Sequence, residues 1–98
     1  MLEQAERDRI IDRAAASILK AARPSKVFSE PVEAFDGAEA LRVTIVLRTE
    51  TVDNVTGDQA LDTLVLIYKD LQESGEERFP ILEFVGEDEL ELDDDPQS

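Results

Sequence analysis

The fold turns on two neighbouring runs, ALRVTIVLR at Ala40–Arg48 and TGDQALDTLVLIYKDLQESG at Thr56–Gly75. In the first, Leu41, Val43, Ile45 and Leu47 point one way, and Arg42, Thr44, Val46 and Arg48 the other. Such alternation marks a strand with one face on a core and a wetter face opposite. β-Branched residues in its middle suit a pleated, packed surface, so this run is expected to be the central strand. In the second run, Thr56-Gly57-Asp58-Gln59 fits a capping box, with Thr56 accepting from the backbone N–H of Gln59 and Gln59 reaching back. Asp58 adds negative charge to the first turn, where the helix dipole favours it. The helix behind it is expected to bury Ala60, Leu61, Leu64, Val65, Ile67, Tyr68 and Leu71, an arc of about 160°. Leu66 falls opposite that arc, among Asp62, Asp70 and Glu73. Gly75 stands where a left-handed residue ends a helix.

Upstream, Leu2–Ala22 predicts an amphipathic helix with Ile10, Ile11, Ala14, Ala15, Ile18, Leu19 and Ala22 on one stripe. Glu3 and Arg7 are spaced as an i,i+4 pair. Pro24 disfavours helix at Arg23, so the helix is expected to end there, with Lys20 and Arg23 complementing the dipole of its last turn. The stripe is rich in Ala and therefore thin, which predicts that the helix gains by docking on a second chain. Lys26–Phe35 reads as an extended segment, with Phe28, Val32 and Ala34 on one side and Val27 and Phe35 on the other. Pro31 cannot donate to a ladder, so the segment is expected at a sheet edge. Asp36-Gly37 supplies a tight turn and makes the two flanking strands an antiparallel hairpin.

Thr49–Val55 reads as a polar loop. Downstream of the second helix, Phe79–Val85 predicts a third strand, with Pro80 near its start and Gly86 breaking it. Glu87–Leu92 is expected to form one short helical turn carrying Leu90 and Leu92. The order α-β-β-α-β predicts an α+β, two-layer domain: a three-stranded mixed sheet with helices packed on one face, the second and third strands parallel through a right-handed crossover. Residues 1–92 are expected to form this single domain, and residues 93–98 a disordered acidic tail.

The composition narrows the chemistry. With 98 residues the chain has room for one small core. It contains neither Cys nor His, which excludes disulfides and a thiol nucleophile and removes the commonest general base and metal ligand. The start, Met1-Leu2-Glu3-Gln4-Ala5-Glu6-Arg7, lacks the apolar run of a signal peptide, and no segment approaches the ~20 apolar residues of a membrane span. A cytoplasmic setting is the expectation. Net charge is −14, with residues 1–23 at +1, residues 24–85 at −8 and residues 86–98 at −7. That field repels nucleic acid and anionic membrane and attracts a basic protein.

No catalytic, cofactor-binding or metal-ligating residue is assigned. Asp53–Asp58 resembles a calcium loop only loosely, because Gly57 is fifth rather than sixth and Leu64 stands where the twelfth-position Glu belongs. Asp93–Asp95 lacks a rigid cage. With so many carboxylates, some pair lies close by chance and none stands out for acid–base work. Gly37, Gly57, Gly75 and Gly86 all fall at expected turns or caps, and Gly75-Glu76-Glu77-Arg78-Phe79-Pro80 reads as a helix end followed by a strand start. The resulting expectation is a non-enzymatic acidic protein-interaction module, antitoxin- or inhibitor-like, engaging a basic protein and compatible with a homodimer. Two further readings stand beside it: a nucleic-acid mimic filling a basic cleft, and an accessory subunit of an enzyme with an interfacial site.

Overall fold

The computed structural model describes residues 3–20, 23–34 and 36–89. It is an α+β fold with the elements α1 (Gln4–Leu19), β1 (Lys26–Glu33), β2 (Glu39–Leu47), α2 (Thr49–Val52), α3 (Gly57–Glu73) and β3 (Phe79–Gly86). β2 is central: β1 pairs with it antiparallel and β3 parallel. The expected tail at residues 93–98, and Leu2, Ala22, Phe35, Leu90 and Leu92, lie outside the described residues. The helical turn expected after β3 begins at Glu87–Glu89.

The odd positions of β2 carry the core. Leu41, Val43, Ile45 and Leu47 are buried against Ile11, Ala14, Ala15 and Leu19 of α1 and Ile67 and Leu71 of α3. Because α1 offers Ala14 and Ala15 where it meets the core, it can lie close against its neighbours. The thin stripe read as a docking face for another chain is thus closed by α3 and the sheet of the same chain. The hairpin turn forms at Asp36-Gly37: Gly37 adopts φ +87°, its N–H donates to the Ala34 carbonyl, and the Asp36 carboxylate accepts from the Ala38 N–H.

Three expectations are corrected. α1 ends at Leu19, not at Arg23, with Lys20 at φ +31° as its last, half-helical residue; its final turn holds no basic side chain. The chain leaves the helix early because Ser25 must already donate to the Val46 carbonyl as β1 starts. The segment read as the loop Thr49–Val55 contains the one-turn helix α2. Val52 and Val55 anchor it on the core, while Thr51 and Asn54 side chains donate to the Arg48 and Glu50 carbonyls.

The third correction concerns which face of α3 is buried. The capping box is present, with Thr56 Oγ1 accepting from Gln59 N at 3.1 Å and Thr56 N donating to Gln59 Oε1 at 3.0 Å. The buried line, however, is Thr63, Ile67 and Leu71, and Leu66 packs against the core while Leu61 and Val65 are 59% and 56% exposed. The inward face is rotated by roughly 80° from the arc of apolar residues, at 100° per residue. Thr63 can be buried because its hydroxyl donates to the Gln59 carbonyl of its own helix at 2.7 Å.

This rotation gives a direct test. Ile67→Ala is expected to lower unfolding free energy by about 2–5 kcal/mol, whereas Val65→Ala should change it by less than about 0.5 kcal/mol. Urea denaturation of both variants at low micromolar protein distinguishes them; equal losses would mean that α3 buries the wider arc.

Candidate functional site

Two features of the structure exceed what the scaffold alone requires. One is a buried ionic cluster where α1, β1 and the start of β3 meet; the other is the surface around β3.

The ionic cluster begins with the end of α3. Gly75 takes φ +105°, and the Glu76 N–H returns to the Leu71 carbonyl at 2.8 Å. That reversal drives the Glu76 side chain inward, leaving the residue 2% exposed. Arg78 meets it with a fork: Nε donates to Oε2 at 2.8 Å and Nη2 to Oε1 at 3.1 Å, and the Arg78 backbone N–H donates to Oε2 at 3.2 Å. The Arg78 hydrogen bond holds the Glu76 carboxyl below its ordinary range, against the upward push of burial, and the charge of Arg7 adds to the lowering. The same bond raises the pKa of Arg78. Buried Arg7 of α1 donates from Nε to Ser29 Oγ of β1 at 3.2 Å, and Ser29 Oγ donates onward to Asp8.

Chemically this is a lock. Both oxygens of Glu76 are engaged, and its proton affinity is moved away from the near-neutral range that general acid–base work requires. Among the described residues, no buried side-chain nitrogen or oxygen lacks a hydrogen-bond partner. Sequence reading singled out Gly75–Pro80 but saw only a cap and a strand start. The available signal was the Glu-x-Arg spacing behind a helix-ending Gly, because residues two apart share one side of an extended chain.

The surface follows from sheet parity. The even positions of β1 and β2 and the odd positions of β3 face away from the helices. Ala40 and Val46 are buried among their strand neighbours, but the middle of this face is open to solvent. There Arg42 stands between Glu30 at 3.9 Å and Glu83 at 3.8 Å, all three about half exposed or more. Partly buried Phe28, Val32 and Val85 frame this triplet, and Lys26 Nζ lies 5.2 Å from the Phe28 ring centre. Phe79 and Ile81 on β3 are 53% and 44% exposed. The Phe79 ring meets Tyr68 of α3 edge-on, with centroids 5.2 Å apart. A Tyr68, Val65, Leu61 line at helical spacing is thereby joined to Phe79 at the start of β3, whereas Ile81 lies on the open face of the sheet.

The loosely calcium-like Asp53–Asp58 stretch is occupied by the end of α2 and the cap of α3. Asp93–Asp95 lies outside the described residues. Among the described residues no group of three or more acidic side chains is gathered closely enough to hold a metal ion, and no helix is long and apolar enough to cross a membrane. Comparison of the chain with protein-family models, with curated proteins and with solved structures finds no match.

The lock predicts a pH signature. Because the Glu76 pKa is lowered on folding, its stabilisation is present above the ordinary Glu value of about 4.3 and is lost as pH falls through the lowered folded value. Glu76→Gln is expected to cost about 3 kcal/mol at pH 7 by leaving Arg78 without its counter-charge, and the gap from the parent should close as pH falls from about 4.3 through the lowered folded value. Urea titrations of both proteins across that range check this; a gap independent of pH would contradict it.

Proposed function

We propose that the chain is a small protein-binding module whose open sheet face engages a basic protein, in the manner of an inhibitor or antitoxin that neutralises a basic enzyme. The observation that supports this reading is the Glu30–Arg42–Glu83 triplet framed by Phe28, Val32, Ile81 and Val85. One guanidinium is shared by two half-exposed carboxylates at 3.8–3.9 Å, so the centre of the face retains net negative charge. Apolar residues around a charged centre offer a partner both area to bury and a cation to place. The net charge of −14 steers such a partner towards the surface.

Acids stand on each of the six elements, including Glu6, Asp12, Glu30, Glu39, Glu50, Asp62 and Glu83. This distribution favours a general acidic coat with one contact face over a row of phosphate-like charges.

The test is recovery of a basic partner from native host extract on the immobilised chain. Retention is expected at about 0.05 M salt and release at about 0.5 M, as the Debye length shrinks from ~14 to ~4 Å. The double variant Glu30→Lys, Glu83→Lys should recover none of that partner while melting within a few degrees of the parent. No recovery at low salt, or unchanged recovery by the double variant, would overturn the reading.

A further inference from the structure

The β3 side of the molecule is left unfinished in both layers. Among the described residues β3 is an edge strand, with β2 on one side and no strand on the other. Edge strands are normally blunted by Pro, by charge or by cover. β1, the other edge, has Pro31 in its middle and Lys26 at its end. β3 has Pro80 only at its second position, followed by Ile81, Leu82, Glu83, Phe84 and Val85. Beneath it, α3 turns Leu61 and Val65 to solvent, and Tyr68 joins that line to Phe79. The four large exposed apolar residues of the described chain thus all lie on α3 and β3, Leu61 and Val65 on the helix and Phe79 and Ile81 at odd positions of the strand. By typical side-chain areas they present roughly 400 Å² in total, divided between the helix and the open face of the sheet.

The geometry points to a second copy of this chain as the occupant, paired edge to edge through β3 in an antiparallel, two-fold arrangement that brings the two α3 helices together. An added peptide strand would cover the sheet edge but leave Leu61 and Val65 in water. Only a partner that presents a strand and a helix in the same relation covers both layers, and a second copy does so by symmetry.

Helix and strand dimensions locate the axis. α3 runs from the end of β2 back to the start of β3, which is parallel to β2, so α3 and β3 are opposed in direction. Starting from the Tyr68–Phe79 contact, the midpoint of Leu61 and Val65 lies about 7.5 Å along the helix at 1.5 Å per residue. Ile81 lies about 6.6 Å along the strand at 3.3 Å per residue. A two-fold at Ile81 therefore sets the Leu61–Val65 stripe against its own copy and Ile81 against Ile81 of the second copy. It also keeps the two Glu83 side chains from direct opposition, which would be destabilising. The four apolar side chains offer at most about half of the ~800 Å² that each side of a standard interface buries, and strand backbone and flanking residues would supply the rest.

This inference does not rest on the proposed binding of a basic protein, since an edge-paired sheet leaves the Glu30–Arg42–Glu83 centre exposed. Salt separates the two. Subunits that each carry −14 repel, so self-association should tighten as salt screens them, whereas binding to a basic partner should weaken.

The experiment is sedimentation equilibrium of the full chain from about 5 μM to about 1 mM protein at about 0.05 and 0.5 M NaCl, conditions that span weak and strong screening. Expected is a concentration-dependent shift from the 10.9 kDa chain mass to twice that value, with a dissociation constant at least threefold lower at the higher salt. Leu61→Asp and Val65→Asp, at positions open to water in the single chain, should each weaken it tenfold or more while retaining the parent's circular dichroism. Amides of β3 should gain hydrogen-exchange protection with rising parent concentration, and those of β1 should not. A monomer at every concentration and salt would overturn the proposal. So would a dimer insensitive to Leu61→Asp and Val65→Asp, or one that protects β1 or leaves β3 unprotected.

Discussion

A three-stranded sheet has two faces, and the described helices pack on one. That constraint organises the rest of the molecule. Leu41, Val43, Ile45 and Leu47 take up the apolar stripes of α1 and α3, and the opposite face is left to Arg42, Thr44 and their neighbours on β1 and β3. Among the described residues no strand pairs with β3 on its other side. Where a larger α+β domain would add a helix or a fourth strand, this one presents side chains that are half exposed and half supported.

The Glu76–Arg78–Arg7–Ser29 cluster has a complementary role. A two-layer fold is held by hydrophobic contact that is indifferent to small rotations, and directional contacts at the rim of the core are what fix one arrangement. Here a forked ion pair and a Ser-centred pair of hydrogen bonds tie α1 to β1 and secure the chain between α3 and β3.

Much of the architecture was legible in local chemistry. The alternation of Ala40–Arg48, the capping box at Thr56, Pro31 in an edge strand and the Asp36-Gly37 turn each have a mechanism that acts within a few residues, and each is found where its mechanism puts it. What was not legible depends on partners distant in the chain. A helical wheel counts Leu61, Val65 and Ile67 alike; only packing on α1 and β2 selects Ile67. Thr63 counts as polar, although a hydroxyl bonded inside its own helix can be buried. Arg7 reads as a solvent-facing cation until Ser29 of β1 is set beside it. Of the surface, the acidic balance and Leu66 drew attention, but packing exchanged the roles of Leu66 and Leu61. Leu61 and Val65, now among the exposed apolar residues, were therefore assigned to the interior.

The order of strands in the sheet also has a consequence for how the chain reaches this fold. Glu33 and Glu39 are neighbours across the hairpin, whereas Ala40 and Phe79 become neighbours only after α2 and α3 have been threaded between them. Local pairings close at small entropic cost and distant parallel ones at larger cost. The β1–β2 hairpin is thus the piece available first, and β3 arrives last. Until it does, the flank of β2 that carries Leu41 to Leu47 is an unpaired, strongly apolar strand, the kind of surface through which nascent chains coalesce. The net charge of −14 opposes the approach of two such chains.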